Sequence, residues 1–302
     1  MKQIIFLISA PRSGSTILQK LLVTSEKINT TAEPWWLLPI IQYKSHQGYE
    51  SYNKRIASKA IHDFDKYFKK QTGSSLNNEI VNMVQKVYAL LAPDSGYFLD
   101  KTPRYYLIVE ELRKLFPDAK FIFLTRNPLE ILSSKLTAHN DTFHAYYKYK
   151  MDLYQSVKKI SDSLHNQHDN IFQLDYNDLI CSETNCVVQL NSFLNLDDID
   201  AQNISSIEVD GVMGDPKAMI HNEGIRSKKS FWYQKVNSPI KYLIFKKIFS
   251  STPDDYFHFS GITKSMVKND FNKISWWAYI NFWQGTIDTI ALIRSYLTKN
   301  RK

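Results

Sequence analysis

Residues 3–16, with the sequence QIIFLISAPRSGST, decide the class of fold that the chain is expected to adopt. Residues 3–9 are a continuous apolar run, which is typical of a parallel β-strand covered on both faces. A turn follows at residues 10–13, and the apolar side chains of residues 15–25 share one side of a predicted helix. The chain is therefore expected to begin with a strand, a loop and a helix.

Strands and helices alternate further along the chain. Buried strands are predicted at residues 97–100, 120–125 and 171–174. Helices are predicted around residues 52–70, 76–91, 104–116, 143–167 and 183–194. This alternation predicts an α/β fold with a P-loop-type central parallel sheet flanked by helices.

The domain organisation expected from this pattern is a single domain over residues 1–302. The two helices within residues 48–91 are expected to form an inserted helical lobe. The pattern weakens beyond residue 200, and residues 251–302 are interpreted as a mostly helical C-terminal extension. Its closing segment, residues 276–297, is aromatic and amphipathic.

The charge distribution favours an anionic ligand. The formal net charge is +8, and residues 224–250 contain seven lysines and arginines and no acid. Hydrophobic residues make up 43% of the chain, which is enough for a packed core. An acidic acceptor or lipid headgroups are alternative partners for this basic segment, and nucleic acid is not expected.

The sequence favours a cytoplasmic location without a membrane span. The first apolar run is about seven residues long and is followed by Pro11 and Arg12, so we interpret it as a strand rather than a signal peptide. No apolar run reaches the roughly 20 residues that a spanning helix needs. Cys181 and Cys186 have the wrong spacing for a metal or redox pair and suit reduced thiols.

The loop at residues 11–16, PRSGST, has the features of an anion-binding loop. Backbone N–H groups between a strand and a helix, with the partial positive charge of the helix N-terminus, bind anions. A nucleoside-triphosphate loop would read GxxxxGK[ST], but Ser9 replaces the first glycine and Ser15 replaces the lysine. Arg12 supplies a positive charge instead. This pattern argues against ATP or GTP chemistry, and the alternative is a loop that merely starts a helix.

The PRSGST loop resembles the 5'-phosphosulfate loop of sulfotransferases that use 3'-phosphoadenosine-5'-phosphosulfate (PAPS). The form with arginine is that of the tyrosylprotein and carbohydrate sulfotransferases. The resemblance implies a sulfotransferase of the EC 2.8.2 type that leaves 3'-phosphoadenosine-5'-phosphate (PAP) as product. It implies that the following residues bind the sulfated end of PAPS: Arg12, Ser13, Gly14, Ser15 and Thr16.

Two segments resemble the parts of this family that act at the reacting centre. Residues 31–36, TAEPWW, are similar to the Glu-Pro segment of carbohydrate 6-O-sulfotransferases. The resemblance implies that Glu33 removes the proton of the acceptor hydroxyl. Residues 100–103, DKTP, resemble the lysine-bearing segment, so Lys101 is expected to stabilise charge on the sulfuryl or bridging oxygen. The alternative for Glu33 is an exposed, solvated side chain, and the alternative for Lys101 is a surface lysine at a strand end.

The middle of the chain resembles the part of the family that binds the other end of the nucleotide. FIFLTRNPLEILSSKL places Arg126 at a strand end and Ser134 on the following helix, as in the element that binds the 3'-phosphate. Ser133 is the neighbouring alternative. In IFQLDYNDLI, Tyr176 is expected to lie near the nucleotide or to support the loop, and a packed aromatic is the alternative. Lys228 and Lys229 are weaker candidates to close over the 3'-phosphate and adenine.

The reaction implied by the resemblance is an in-line displacement at sulfur, with Arg12 and Lys101 neutralising charge. No metal is expected, since the eight histidines lack ligand spacing. His139 and His144 are alternative bases, because a histidine has that role in cytosolic sulfotransferases.

The acceptor expected first is a glycan hydroxyl, and a lipid or small-molecule alcohol is the alternative. Two other classes of function stay open: a P-loop small-molecule kinase, and a non-catalytic module that binds a glycan or a membrane surface. The second class is suggested by Trp276, Trp277, Phe282 and Trp283, although such aromatic stripes are more often core or interface.

Overall fold

Five strands form one sheet in the computed structural model, which describes residues 3–42, 54–94, 96–166, 168–181, 183–207, 209 and 231–299. Strands β1 to β5 span Gln3–Ser9, Ile28–Thr30, Tyr97–Asp100, Lys120–Thr125 and Ile171–Asp175. The strands predicted at 3–9, 97–100, 120–125 and 171–174 are thus present. The three-residue strand β2 was not predicted, because it is too short to show a period.

All neighbouring strands are parallel, in the order β2-β3-β1-β4-β5. Strand β1 therefore lies between β3 and β4, and the chain crosses β1 on its way from β3 to β4. In open parallel sheets, ligands bind where the strand order reverses in this way, at the carboxyl ends of the strands. Ser9 pairs with Leu124 in the register of β1 and β4, so the loops that follow these two strands are adjacent.

The helices lie between and after the strands. Helices α1 to α5 span Ser15–Leu22, Leu37–Ile41, Lys54–Thr72, Leu76–Leu91 and Val109–Leu115. Helices α6 to α9 span Pro128–Ala138, Tyr146–His165, Tyr176–Cys181 and Glu183–Leu194. Helices α10 to α14 span Pro239–Ser251, Asp254–Phe259, Lys264–Phe271, Trp277–Ile280 and Phe282–Lys299. Short 3-10 helices span Tyr105–Leu107, Ala201–Ser206 and Trp232–Lys235.

The core has a layer on each face of the sheet. Phe6 and Ile8 pack on one face with residues of α4, α5 and α7, whereas Ile5 and Leu7 pack on the other with residues of α1 and α9. This alternation explains the unbroken apolar run of β1, because a strand covered on both faces has no side chain directed to water. The predicted α/β fold with a parallel sheet flanked by helices is confirmed.

The structure adds detail to two segments of the chain. The helix predicted over residues 104–116 begins as a 3-10 helix and becomes α-helical only at Val109. The aromatic segment 276–297 consists of α13 and α14, which are separated at Asn281. Residues 48–53 of the proposed lobe lie outside the described residues. Within the described ranges, no helix is long and apolar enough to cross a bilayer, and no cluster of His, Cys, Asp and Glu suits a metal.

Candidate active site

A cleft of about 900 Å³ opens at the carboxyl edge of the sheet. Residues that follow all five strands line it, and helices α6 and α7 complete it. Its walls include Arg12, Gly14, Ser15, Thr16, Glu33, Trp35, Arg104, Arg126, Ser133, Ser134, Lys135, His139, Lys148, Tyr149, Asp152 and Tyr176. Parallel strands end at one edge of a sheet, and the cleft therefore gathers side chains that are far apart in the sequence.

The loop after β1 has the geometry of an anion cradle. Arg12 and Gly14 are in the left-handed backbone region, with φ of 76° and 95°. A Cβ on Gly14 would lie 2.7 Å from ring carbons of Tyr176, so only glycine fits this position. The buried Oγ of Ser13 has no hydrogen-bond partner among the described residues. The first N–H groups of α1 have no acceptor within the helix, and they carry its partial positive charge.

The side chain of Arg126 is held from three sides. Its Nε donates to Glu130 Oε2 over 3.0 Å, and its Nη1 donates to the carbonyl oxygen of Arg12 over 3.1 Å. Its guanidinium lies 3.8 Å from the centre of the Tyr176 ring. Tyr176 thus contacts Arg126 and lies against the position of Gly14, and it also lines the cleft. Lys228 and Lys229 lie outside the described residues.

Arg12 and Ser134 are in direct contact, although they were predicted to serve opposite ends of a nucleotide. The Nε of Arg12 donates to Ser134 Oγ over 3.2 Å. Ser134 is partly exposed to the cleft, whereas Ser133 is 3% exposed. The loop after β1 and the element formed by Arg126 and Ser134 therefore belong to one continuous cleft.

Glu33 forms a buried ion pair with Lys101. Lys101 Nζ donates to Glu33 Oε1 over 3.0 Å, and Trp35 Nε1 donates to Glu33 Oε2 over 3.1 Å. The Lys101 side chain is only 1% exposed, whereas Glu33 is 11% exposed and lines the cleft. Lys101 thus lies behind Glu33 and is not among the residues that line the cleft. Its contact in the described structure is the carboxylate, not an open surface where sulfuryl oxygens could bind.

Asp100, next to Lys101, anchors this region in the core. Tyr88 and Tyr105 both donate hydrogen bonds to its Oδ2. Trp36 Nε1 in turn donates to the Tyr88 hydroxyl over 2.8 Å. Burial raises the pKa of Asp100 to about 6, and the hydrogen bonds from Tyr88 and Tyr105 oppose that shift. These residues fix the backbone from which Lys101 extends.

A second buried carboxylate, Asp152, forms ion pairs with Arg104 and Lys135 in the same cleft. Arg104 Nε donates to Asp152 Oδ1 over 3.1 Å, and Lys135 Nζ donates to Oδ2 over 3.4 Å. The Tyr106 hydroxyl also donates to Asp152 Oδ1, over 2.8 Å. Burial lowers the pKa of Lys135, and Asp152 opposes this. This cluster could not be predicted from the sequence, because its members come from three separate elements and form no local motif.

The two alternative bases differ in position. His139 lines the cleft and stacks on Tyr149 with ring centres 5.9 Å apart. Partial burial, reinforced by the charges of Lys135 and Lys148, lowers the pKa of His139. A neutral imidazole can accept a proton, so His139 remains a candidate base. His144 is exposed and is not among the residues that line the cleft.

Comparisons with known proteins bear on the family and the fold of this chain. The nodulation protein NoeE of Sinorhizobium fredii (strain NBRC 101917 / NGR234) is 30% identical over 135 residues. That match covers 43% of this chain and 30% of NoeE, so the chain spans less than a third of that relative.

Solved structures of low identity share the fold. For the sulfotransferase domain from the curacin biosynthetic pathway, the TM-score is 0.53 at 20% identity, over 84% of this chain and 99% of that one. For mouse sulfotransferase SULT7A1 complexed with PAP, the TM-score is 0.50 at 14% identity, over 90% and 89% of the two chains. The model of the sulfotransferase family matches residues 4–200, more than half of the chain and all five strands. This chain therefore belongs to the sulfotransferase family.

Proposed function

We propose that this protein transfers a sulfuryl group from PAPS to a hydroxyl group of a carbohydrate. The observation that carries the proposal is that Arg12, Glu33, Arg126 and Ser134 line one cleft. An anion cradle, a carboxylate and a second cationic site are thus within one cavity. This combination suits a bisphosphorylated nucleotide beside a hydroxyl acceptor.

The donor set of the cleft fits PAPS. The unpartnered hydroxyl of Ser13 and the first N–H groups of α1 would hold the oxygens of the 5' end, together with Arg12. Arg126 and Ser134 would hold the 3'-phosphate, since a guanidinium and a hydroxyl both donate hydrogen bonds to phosphate oxygens. The Arg12–Ser134 hydrogen bond implies that Arg12 changes its partner when the nucleotide enters. PAPS, when bound, supplies the activated sulfuryl group.

The residues of the chain carry out the proton transfer and hold the charge. Glu33 accepts the proton that the acceptor hydroxyl releases, since its carboxylate reaches the cleft. Lys101 and Trp35 each donate to one of its oxygens and fix its direction. Arg12 and the N-terminus of α1 receive the negative charge that develops at the 5' end. Lys101 acts in this scheme through Glu33 and is a positioning residue.

A carbohydrate acceptor is supported by the aromatic and basic side chains that line the cleft beside the loop. Trp35 and Tyr149 offer aromatic surface, and Arg104 and Lys135 offer hydrogen-bond donors around Asp152. Sugars present both apolar ring faces and hydroxyl groups, so a mixed surface of this kind suits them. Lipid and small-molecule alcohols are the second class of acceptor. A cytoplasmic location, also part of this proposal, suits the unlinked Cys181.

The test uses labelled PAPS with a panel of glycans, lipids and small alcohols. We expect label on a glycan hydroxyl and loss of at least about a hundredfold in turnover for Glu33→Gln. Glu111→Gln, at an exposed position outside the cleft, is the matched control and should keep activity. Turnover that survives in Glu33→Gln and disappears in His139→Ala would assign the base to His139. Thermal stabilisation by ATP with Mg²⁺ and not by PAP would identify a kinase instead.

A further inference from the structure

Helix α14 directs its small and polar residues toward the protein and its large apolar residues toward solvent. Gly285, Asp288, Ala291 and Ser295 are buried. The exposed side of the helix carries Phe282, Trp283, Ile287, Ile290, Ile293 and Leu297. Trp283 is 79% exposed and Phe282 is 72% exposed. A surface helix of a globular protein normally has the reverse arrangement, with its apolar stripe facing the core.

Buried polar contacts hold the helix in this orientation. Ser238 Oγ donates to Asp288 Oδ2 over 2.5 Å, and Lys241 Nζ lies 3.9 Å from Asp288 Oδ1. The backbone N–H of Tyr147 donates to Ser295 Oγ over 3.0 Å. Rotating the helix to bury its isoleucines would carry Asp288 away from Ser238 and Lys241. Those two side chains would stay buried, and Lys241 would be left with an uncompensated charge. The outward direction of the apolar side chains is therefore built into the fold.

The exposed apolar surface continues into the preceding segment. Trp276 and Trp277 come just before α14 and are 70% and 54% exposed. These two tryptophans and the six exposed residues of α14 named above are here called the apolar face. Trp283 to Leu297 alone extend over about 20 Å at the rise of an α-helix. Contiguous exposed surface of this kind marks a site of interaction.

In the described residues of α10, α13 and α14, every exposed charged side chain is basic. Arg294 is exposed on α14, and Lys246 and Lys247 are exposed on α10, which packs against α13 and α14. Lys246 Nζ lies 5.6 Å from the centre of the Tyr242 ring, and that ring contacts Tyr279 of α13 at 4.9 Å. The sequences of α10, α13 and α14 contain one acid, Asp288, and it is buried.

We propose that the apolar face binds the surface of a bilayer that contains anionic phospholipids. Tryptophan, phenylalanine and isoleucine side chains insert at the boundary between headgroups and acyl chains, and nearby basic residues bind anionic headgroups. A second copy of this chain is a poorer occupant. A two-fold interface would bring Arg294, Lys246 and Lys247 toward the same basic residues of the other copy. The proposal does not depend on sulfuryl transfer.

The apolar face is connected to the cleft through the first turn of α7. Tyr147 packs on Tyr296 of α14 with ring centres 5.4 Å apart, and its neighbours Lys148 and Tyr149 line the cleft. Helix α14, which carries the apolar face, thus contacts the same helical turn that supplies Lys148 and Tyr149 to the cleft. Docking would orient the cleft relative to the bilayer without a change in the fold.

The experiment is co-sedimentation of the full chain with vesicles. Vesicles that contain phosphatidylcholine and phosphatidylglycerol in equal amounts should bind the protein, and vesicles of phosphatidylcholine alone should bind it much more weakly. We expect Trp283→Glu to lower the binding constant by at least about tenfold. Replacing Lys246 and Lys247 together by Glu should lower the binding constant by about fivefold for each positive charge lost. The binding of this variant should not become more sensitive to salt.

Leu90→Glu is the matched control, because Leu90 is 78% exposed on α4, outside the apolar face. It should bind vesicles like the unmodified chain. All variants should keep the same thermal unfolding midpoint, since the changed side chains are exposed. Equal vesicle binding by Trp283→Glu and Leu90→Glu would overturn the proposal. A dimer in light scattering that Trp283→Glu dissociates would also overturn it and would assign the face to a second copy.

Discussion

Lys101 Nζ lies 3.0 Å from Glu33 Oε1, in a pair whose lysine is buried and whose glutamate reaches the cleft. The two residues are 68 positions apart in the chain, so the contact forms only in the folded protein. It gives the proposed base a fixed direction. The contact also links the charge of Glu33 to the stability of the fold, because each charge compensates the cost of burying the other.

Lys101→Met should therefore affect stability as well as turnover. The change leaves the Glu33 carboxylate partly buried without its cation, and we expect a loss of about 3 kcal/mol in the free energy of unfolding. Urea denaturation measures it. The double variant Glu33→Gln/Lys101→Met should recover most of that loss, since no unpaired charge remains. PAP binding should change by less than about threefold in Lys101→Met, because Lys101 does not line the cleft.

Gly14→Ala should destabilise the protein more than Gly73→Ala. Both glycines have positive φ, 95° and 75°, but only Gly14 has a ring within contact distance of an added Cβ. We expect a cost of about 1–2 kcal/mol for Gly73→Ala, from backbone strain alone. Gly14→Ala should cost more and should weaken PAP binding at least about tenfold, because Tyr176 must move. Equal effects of the two changes in calorimetry would contradict this account of the loop.

Asp100 should make the stability of the protein depend on pH. Its pKa is raised by burial to about 6 in the fold, above the ordinary value of about 4. The folded state then holds the proton more tightly than the unfolded chain does. The contribution of Asp100 to the free energy of unfolding is fully present below about pH 4. It falls by up to about 3 kcal/mol as the pH rises through 6.

Asp100→Asn removes that titration. Its free energy of unfolding, measured in urea between pH 4 and 7, should decline less steeply than that of the unmodified chain. The exposed Asp118→Asn should keep the original slope. An Asp100→Asn variant with an unchanged slope would show that folding does not raise the pKa of Asp100.

Ser134→Ala should weaken PAP binding about tenfold, because one hydrogen bond to a phosphate is lost. Binding of AMP, which has no 3'-phosphate, should be unchanged in titration calorimetry. Ser133→Ala is the neighbouring control, and we expect less than about a twofold effect. Equal losses for PAP and AMP would place Ser134 elsewhere on the nucleotide.

Much of the sheet was predictable because its signals are local. Residues 3–9 and 120–125 are apolar runs that stand out from their surroundings, and each is followed by a loop and a helix. The positions of Arg12 and Arg126 at the edge of the sheet follow from this pattern alone. Strand β2 has three residues, too few for any periodicity, and its place at the sheet edge comes from pairing with β3.

The contacts of the site were less predictable. The motifs named Glu33 and Lys101 separately, but no local pattern indicates that they pair across 68 positions. Asp152 lies in the middle of α7 and has no motif, although it gathers Arg104 and Lys135. The outward direction of α14 was also hidden, since periodicity shows that a helix has two faces but does not show which one is buried.

The position of β1 between β3 and β4 has a consequence for folding during synthesis. Of the five strands of this sheet, β1 is synthesised first, and it pairs with residues 97–100 and 120–125, which are synthesised much later. Until then, a nascent chain carries an apolar segment with no sheet to join, and such segments aggregate or recruit chaperones. Translation to the end of β4 is thus the earliest point at which the nucleotide cleft can begin to assemble.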